Sequence, residues 1–292
     1  KSIGKNPDFE RVPTYLLASD RSGKKLLEKE FNARKNAGLP VEYLEQDLVK
    51  SDLGIDAKAA LYNDTSAQLD CYKGATYILD HYLQKEQLQL FSHTLIEDYV
   101  ETQSGYELIT ENGSKIICKN VVIAAGYEAG EFLPKKVMDL LTTFAIVSHP
   151  VDGKYIWKNK ALIWETKTPY LYMRTTNDNR IIVGGEDEDF NNPDKRDKSL
   201  RKKAAILEKK FKKMFPEIPF VTDMSWAGTF SATADGLPYI GTYPNKPNMY
   251  FALGYGGNGI TFSMIAAQVI GNLITGKADP RAELFGFNRS KL

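Results

Sequence analysis

The stretch MYFALGYGGNGITFSMIAAQVIGNLITG, residues 249–276, limits what this chain can fold into more than any other. An apolar run, Met249 to Leu253, meets a glycine cluster and then an apolar helix pattern. The run suits a buried strand, and the pattern from Gly259 to Thr275 suits a helix that stops at Gly276. Gly254-Tyr-Gly256-Gly-Asn-Gly259 spells G-x-G-x-x-G, the spacing of a dinucleotide-binding turn. That reading needs a second strand after the helix and an acidic residue about 20 positions beyond the cluster. Past Gly276 the chain reads KADPRAELFGFNRSKL, with no β-branched run, so the ordinary strand–helix–strand unit is not expected here. The physics of the turn survives. Glycines let the backbone approach a ligand, and a helix start presents unpaired N–H groups carrying about half a positive charge. Such a start can hold a phosphate or the electron-rich edge of a ring. It can also be only a tight turn.

With 292 residues the chain can bury a large core, as one big domain or two medium ones. Its net charge of +1 argues against a nucleic-acid partner, which calls for a strongly basic surface. No apolar run reaches the roughly 18 residues of a membrane-crossing helix, so no transmembrane segment is expected. Cys71 and Cys118 form no C-x-x-C, and the expectation is a reduced, cytoplasmic protein. His81, His93 and His149 have no metal-ligand spacing, so no metal site is expected.

Periodicity predicts a strand over 15–18, a helix over 19–38 with Leu26, Leu27 and Phe31 inward, and a strand over 41–44. A helix over 68–84 turns Ala75, Ile78, Leu79 and Tyr82 inward and leads to a strand at 88–91. Segments around 94–101, 106–110 and 115–118, separated by Ser-Gly and Asn-Gly, read as an antiparallel meander. Val121 to Ala125 reads as a parallel strand buried on both faces. Further strands are expected at 143–148, 161–164, 170–175 and 180–185, and a basic helix at 197–214. The acidic segment GGEDEDFNNPDK, 184–195, reads as a surface loop.

Four segments, in order, carry a resemblance to a known family. They are YNDTSAQLDCYKGATYIL (62–79), KNVVIAAGYEAGEFLP (119–134), YLYMRTTNDNRIIVGGEDED (170–189) and TFSATADGLPYIGTYPNKPNMYFALGYGGNGITFSMIAAQVIGNLITGKADP (229–280). Together with Trp226-Ala-Gly228 they resemble the D-amino-acid-oxidase-like FAD oxidoreductases, the group of glycine oxidase, sarcosine oxidase and γ-glutamylputrescine oxidase. Cys71 stands where that family often has proline. The resemblance implies an α/β (α+β) fold of two intertwined domains. A truncated three-layer FAD-binding domain takes 63–134 and 223–292, and a mixed-sheet substrate domain takes 1–62 and 135–222. The family opens with a strand, G-x-G-x-x-G and helix that hold the ADP half of FAD. Nothing ahead of Tyr15 supplies these, so the expectation is a fragment in which FAD is absent or weakly bound. A protein that has lost its cofactor is the alternative.

By the same resemblance, FAD is non-covalent and meets Leu95, Ala125, Gly126, Tyr127 and the loop from Gly254 through Tyr255, Gly256, Gly257, Asn258 and Gly259 to Ile260 and Thr261. The chemistry implied is oxidation of a C–N bond in a small amine or amino acid by hydride transfer to flavin, with oxygen or another electron acceptor. Tyr172, Arg174 and Asn258 are the expected catalytic positions. Tyr172 and Arg174 share one face of a strand, as the two-residue strand period requires. Glycine oxidase and its relatives carry arginine where this chain has Phe230, and sarcosine oxidase carries lysine where it has Thr261. An α-carboxylate would lack a cationic partner at Phe230, so the expected substrate is an amine, or an amino acid held through a distal carboxylate at Arg174. Trp226 is expected in the core, and Asp235 in support of a turn. A flavin dehydrogenase serving a quinone or protein, or a non-catalytic interaction module, are the competing readings. The oligomeric state is not legible.

Overall fold

The computed structural model describes residues 3–289. From the N-terminus come β1 (Glu10–Arg11), β2 (Thr14–Leu17), α1 (Arg21–Asn36), β3 (Glu42–Glu45), α2 (Gln46–Leu53), β4 (Ala59–Asn63), β5 (Ala67–Gln68) and α3 (Cys71–Leu83). The middle holds β6 (Ile96–Thr102), β7 (Gly105–Thr110), β8 (Lys115–Cys118), β9 (Val121–Ile123), β10 (Asp139–Ser148), β11 (Leu162–Glu165), β12 (Leu171–Thr175) and β13 (Ile181–Glu188). Then come α4 (Pro193–Met214), β14 (Thr222–Ala232), β15 (Tyr239–Thr242), β16 (Met249–Leu253), α5 (Gly259–Ile274) and α6 (Arg281–Phe285). The described residues divide into two compact units. The first is drawn from Lys1–Asp80 and Thr142–Gly228, the second from His81–Leu141 and Thr229–Leu292.

The first unit is built on an eight-stranded mixed sheet in the order β14-β10-β13-β12-β11-β2-β4-β3, in which β11 and β2 run parallel. Alternation along the strands sends Tyr15, Leu17, Phe144, Ile146, Ile163, Leu171, Met173 and Val183 into one core, where α4 adds Leu207 and Phe211. A smaller cluster holds Ala18, Leu27, Ala59 and Leu61, so α1 packs through Leu27. Asp20 starts α1 by accepting the Gly23 N–H at 2.8 Å. Asn192 does the same for α4 through the Lys195 N–H at 2.9 Å, with Pro193 in the first turn. Opposite Tyr172 on β13 sits Gly184, and any side chain there would collide with the tyrosine ring.

The second unit holds the meander β6-β7-β8 and a three-stranded sheet, β15-β16-β9. All five residues of β16 are buried. Met249, Phe251 and Leu253 face a core with Tyr106, Val121 and Ala129, while Tyr250 and Ala252 face α5 through Ala266, Val269 and Ile270. That two-sided burial explains the unbroken apolar run.

Several sequence expectations are corrected. Residues 88–91 are not a strand, and Leu90 and Phe91 are exposed. The segment 184–195 is not a surface loop. β13 continues through it to Glu188, and α4 begins at Pro193 rather than 197. Glu186 is buried there. Burial alone would raise its carboxyl, but Lys210 and Lys203 beside it hold it below the usual range. Leu26, expected inward on α1, is exposed, and α3 has no buried residue, so Ile78, Leu79 and Tyr82 meet solvent. Of β9 only Val121 is buried, because β9 is an edge strand. Trp226, expected in the core, is 44% exposed. Among the described residues no helix is long and apolar enough to cross a membrane.

Candidate functional site

β9 and β16 run parallel, Val121 beside Met249 and Ile123 beside Phe251. Both therefore end at the same edge of their sheet, and each ends in a glycine turn. β9 runs into Ala124-Ala125-Gly126-Tyr127, and β16 into the 254–259 loop. The space beyond the carboxyl ends of parallel strands is where such sheets bind ligands. A groove of about 710 Å³ opens there. Its walls include Ala124, Gly126, Tyr127, Phe230, Gly254, Tyr255 and Gly256, and its floor along α5 includes Ser263, Ala267 and Gly271.

Gly254 has φ +78°, and a Cβ there would lie 2.7 Å from the Thr233 methyl, so this corner of the loop must be glycine. The Gly256 N–H donates to the Ser231 carbonyl at 3.0 Å and ties the loop to β14. Beyond it, Gly257 and Gly259 have no atom within 4 Å of where a Cβ would stand. Backbone is thus bare to the open space. Asn258 is the N-cap residue of α5, yet its side chain makes no capping bond. Among the described residues the N–H groups of Ile260 and Thr261 have no backbone acceptor. They remain available to an electron-rich ligand edge, at the positive end of a 16-residue helix. A flat ring with a polar rim fits this cradle, and the isoalloxazine of FAD is such a ring.

Among the described residues no Asp, Glu, Lys, Arg or His lines the groove. Polar groups there are the hydroxyls of Tyr127, Thr229, Ser231, Tyr255 and Ser263. Burial raises the Tyr255 hydroxyl above its ordinary range, although the Ser263 hydroxyl bonds to it and works against that shift. The lining thus offers groups that orient a ligand and, among the described residues, no strong acid or base. Among the described residues no cluster of His, Cys, Asp or Glu could hold a metal ion.

The turn between β14 and β15 is held by Asp235, which accepts the Leu237 N–H at 3.1 Å and takes a two-pronged bond from Arg289 at 2.7 and 2.9 Å. The arginine holds the Asp235 carboxyl down at about 2. Its guanidinium also lies 3.6 Å over the Tyr239 ring.

The expected site residues are only partly brought together. Gly126, Tyr127, Gly254, Tyr255 and Gly256 meet in the groove. Ala125 stands beside it, its carbonyl accepting the Glu128 N–H at 3.2 Å. Gly257, Asn258, Gly259, Ile260 and Thr261 continue as the bare turn and first residues of α5. Leu95 lies away from the groove lining, in the exposed segment before β6. Tyr172 and Arg174 belong to the other unit. Tyr172 packs over Gly184, and burial raises its hydroxyl. Arg174 lines a separate cavity. Sequence reasoning missed the Ser231 tie and the α5 floor. The second had a signal, since Ser263, Ala267 and Gly271 are small residues spaced by four and so share a helix face.

Comparison with known proteins gives the same direction. The model of the family described as FAD dependent oxidoreductase matches residues 1–273. The γ-glutamylputrescine oxidoreductase of Escherichia coli is 31% identical over 287 residues, covering 93% of this chain and 63% of that protein. Glycine oxidase of Bacillus subtilis is 26% identical over 230 residues, covering 76% of this chain and 59% of that protein. The chain thus spans about three fifths of the length of these relatives. The crystal structure of glycine oxidase from Geobacillus kaustophilus superposes with a TM-score of 0.80 at 19% identity, over 97% of this chain and 76% of that one. The glycine turns, the groove and the extent of these matches lead to one conclusion: the chain belongs to the FAD dependent oxidoreductase (DAO) family, whose members include amine and amino-acid oxidoreductases.

Proposed function

We propose that this chain oxidises the C–N bond of an amine or amino acid, with FAD seated in the groove at the ends of β9 and β16. The observation that carries this is the meeting of two glycine turns at neighbouring parallel strand ends, over a groove with no charged side chain among its described lining residues. Bound FAD would supply the acceptor for the electrons of the C–N bond. Gly254, Gly256 and Gly257 would let the ring reach the backbone, with Gly126 and Tyr127 on the neighbouring turn. The Ile260 and Thr261 N–H groups would favour negative charge at the ring edge. With no Cys or His among the described lining residues, attachment would be non-covalent. Oxygen is the proposed final acceptor.

Phe230 in the wall gives an apolar surface where an α-carboxylate would need a cation. The proposed substrate is therefore an amine, or an amino acid held through a distal carboxylate, with Tyr172 and Arg174 as its contacts. The test uses the full natural chain with added FAD. A saturating change in the flavin visible spectrum is expected, followed by anaerobic bleaching with acylated diamines in preference to glycine or D-alanine. An unperturbed flavin spectrum with folded protein would refute the reading. Peroxide release set against dye reduction would decide the electron acceptor.

A further inference from the structure

In the first unit, α4 carries ten basic and three acidic side chains among its 22 residues. Its net +7 stands in a chain whose formal charge is +1, so the excess is local to this helix. The apolar side of α4 pins it to the sheet. Leu207 and Phe211 are buried, and Leu200, Ala204 and Met214 pack against the same core. Some of the basic side chains have acidic partners. Lys203 and Lys210 are taken by Glu186, Lys212 by Glu208 and Arg196 by Asp197.

The remaining lysines fall into a row. Lys195, Lys198, Lys202, Lys209 and Lys213 follow at intervals of three, four, seven and four, so they share one helix face. That face lies about half a turn from Leu207 and Phe211 and so points away from the core. All five are exposed, and the row runs for about 27 Å at 1.5 Å per residue. Among the described residues Lys198, Lys202, Lys209 and Lys213 have no carboxylate partner. The Lys195 ammonium lies 4.0 Å over the Phe190 ring. Asp197 and Glu208 sit more than about a quarter turn round the helix from the row, and Asp194 is in the first turn.

Like charges along one ridge repel each other, and a partner of opposite charge spread over the same length relieves that repulsion. The chemistry of the row narrows the partner. Centres of protein interfaces are poor in lysine and are anchored by aromatic or large apolar side chains. Among these lysines stand only Ala205 and the half-buried Ile206. Base reading calls for Arg, Asn or Gln, and single strands call for aromatic platforms, and the row has none of these. A convex row of flexible point charges matches a flat, fluid sheet of negative charge, which demands neither shape nor register. We propose that this face of α4 docks on the surface of an anionic lipid bilayer, its lysines among the headgroups. None of its residues lines the groove, so the proposal stands apart from the flavin reading.

Co-sedimentation of the full natural chain with lipid vesicles tests it, comparing phosphatidylcholine alone with phosphatidylcholine plus phosphatidylglycerol. The mixed vesicles should bind it saturably, about 100-fold or more tighter than the neutral ones, and raising NaCl from about 0.05 M to about 0.5 M should remove that binding. Lys198→Gln, Lys202→Gln, Lys209→Gln and Lys213→Gln together should lose most of the preference, at about fivefold for each lysine. A control with Lys25, Lys29, Lys50 and Lys277 changed to Gln has the same net charge and should keep it. Equal binding to both kinds of vesicle, binding that survives the high salt, or equal loss in the two variants would overturn the proposal. Tighter binding to duplex DNA or single-stranded RNA than to the mixed vesicles at the same salt would assign the row to nucleic acid and overturn it too. The lipid and salt preferences of the unaltered protein decide the matter even if a variant fails to fold.

Discussion

The two units use β-structure in opposite ways. In the first, inner strands of the eight-stranded sheet such as β13 are largely buried, and Val183 on β13 is fully enclosed. In the second, β9 is an edge strand and Val122 beside the groove is 46% exposed. Exposure continues on α5, where Ile260 and Met264 are open. A packed sheet fixes position, whereas an open edge with bare glycines leaves room for a flat ligand to approach the backbone. In the first unit the difference favours rigidity, and in the second a binding surface.

The most severe way to probe the contrast is Phe211→Ala. Phe211 is fully buried against Phe215 and Phe220, so the loss should be about 3–5 kcal/mol in urea unfolding. Next, the same substitution should differ between units. Val183→Ala should cost about 2 kcal/mol and Val122→Ala no more than about 0.5 kcal/mol, since only the first leaves a cavity. Equal costs would show that the groove is not open in solution. A third variant, Gly257→Leu, adds a side chain in open space without a left-handed backbone. Stability should stay within about 0.5 kcal/mol while FAD affinity falls by about tenfold or more. Unchanged FAD affinity would remove the loop from the proposed site.

The smallest expected effect is on acid stability. Asp235 is held at about 2, below the ordinary 3.8, chiefly by its bonds from Arg289. A depressed carboxylate contributes its full stability above its unfolded value and loses it as pH falls through the folded one. This contribution should therefore be complete above about pH 4 and fade towards pH 2. Asp235→Asn should flatten that part of the stability profile, measured by thermal unfolding across the range. An unaltered profile would mean that the Arg289 bond does not persist in solution.

Much of the fold was legible because the signals were local. The period of two in 170–175 and the Ser-Gly and Asn-Gly turns of the meander each act within a few positions. The two glycine turns of the candidate site were legible as well, through the resemblance of 119–134 and 229–280 to a known family. Errors came where burial depended on something far along the chain. Nothing near Glu186 reveals that Lys203 and Lys210 will cover it, so an acidic stretch read as a loop. Nothing near Leu26, Ile78 or Trp226 tells whether another element covers it. An apolar residue on a periodic face has a side, but its burial needs a partner.

By itself, then, the sequence determined most of the element types, the glycine turn before α5 and the absence of charge in the loop after β16. Those depend on neighbouring φ, ψ and hydrogen bonds, which a local pattern specifies. Only the tertiary structure decided that β9 lies parallel to β16, which brings Gly126 beside Gly254. It also paired Asp235 with Arg289, 54 positions away, and set Arg174 on a cavity where, among the described residues, no carboxylate pairs with it. Such pairings are set by which surfaces lose water together, a property of the whole packed chain rather than of any stretch of it.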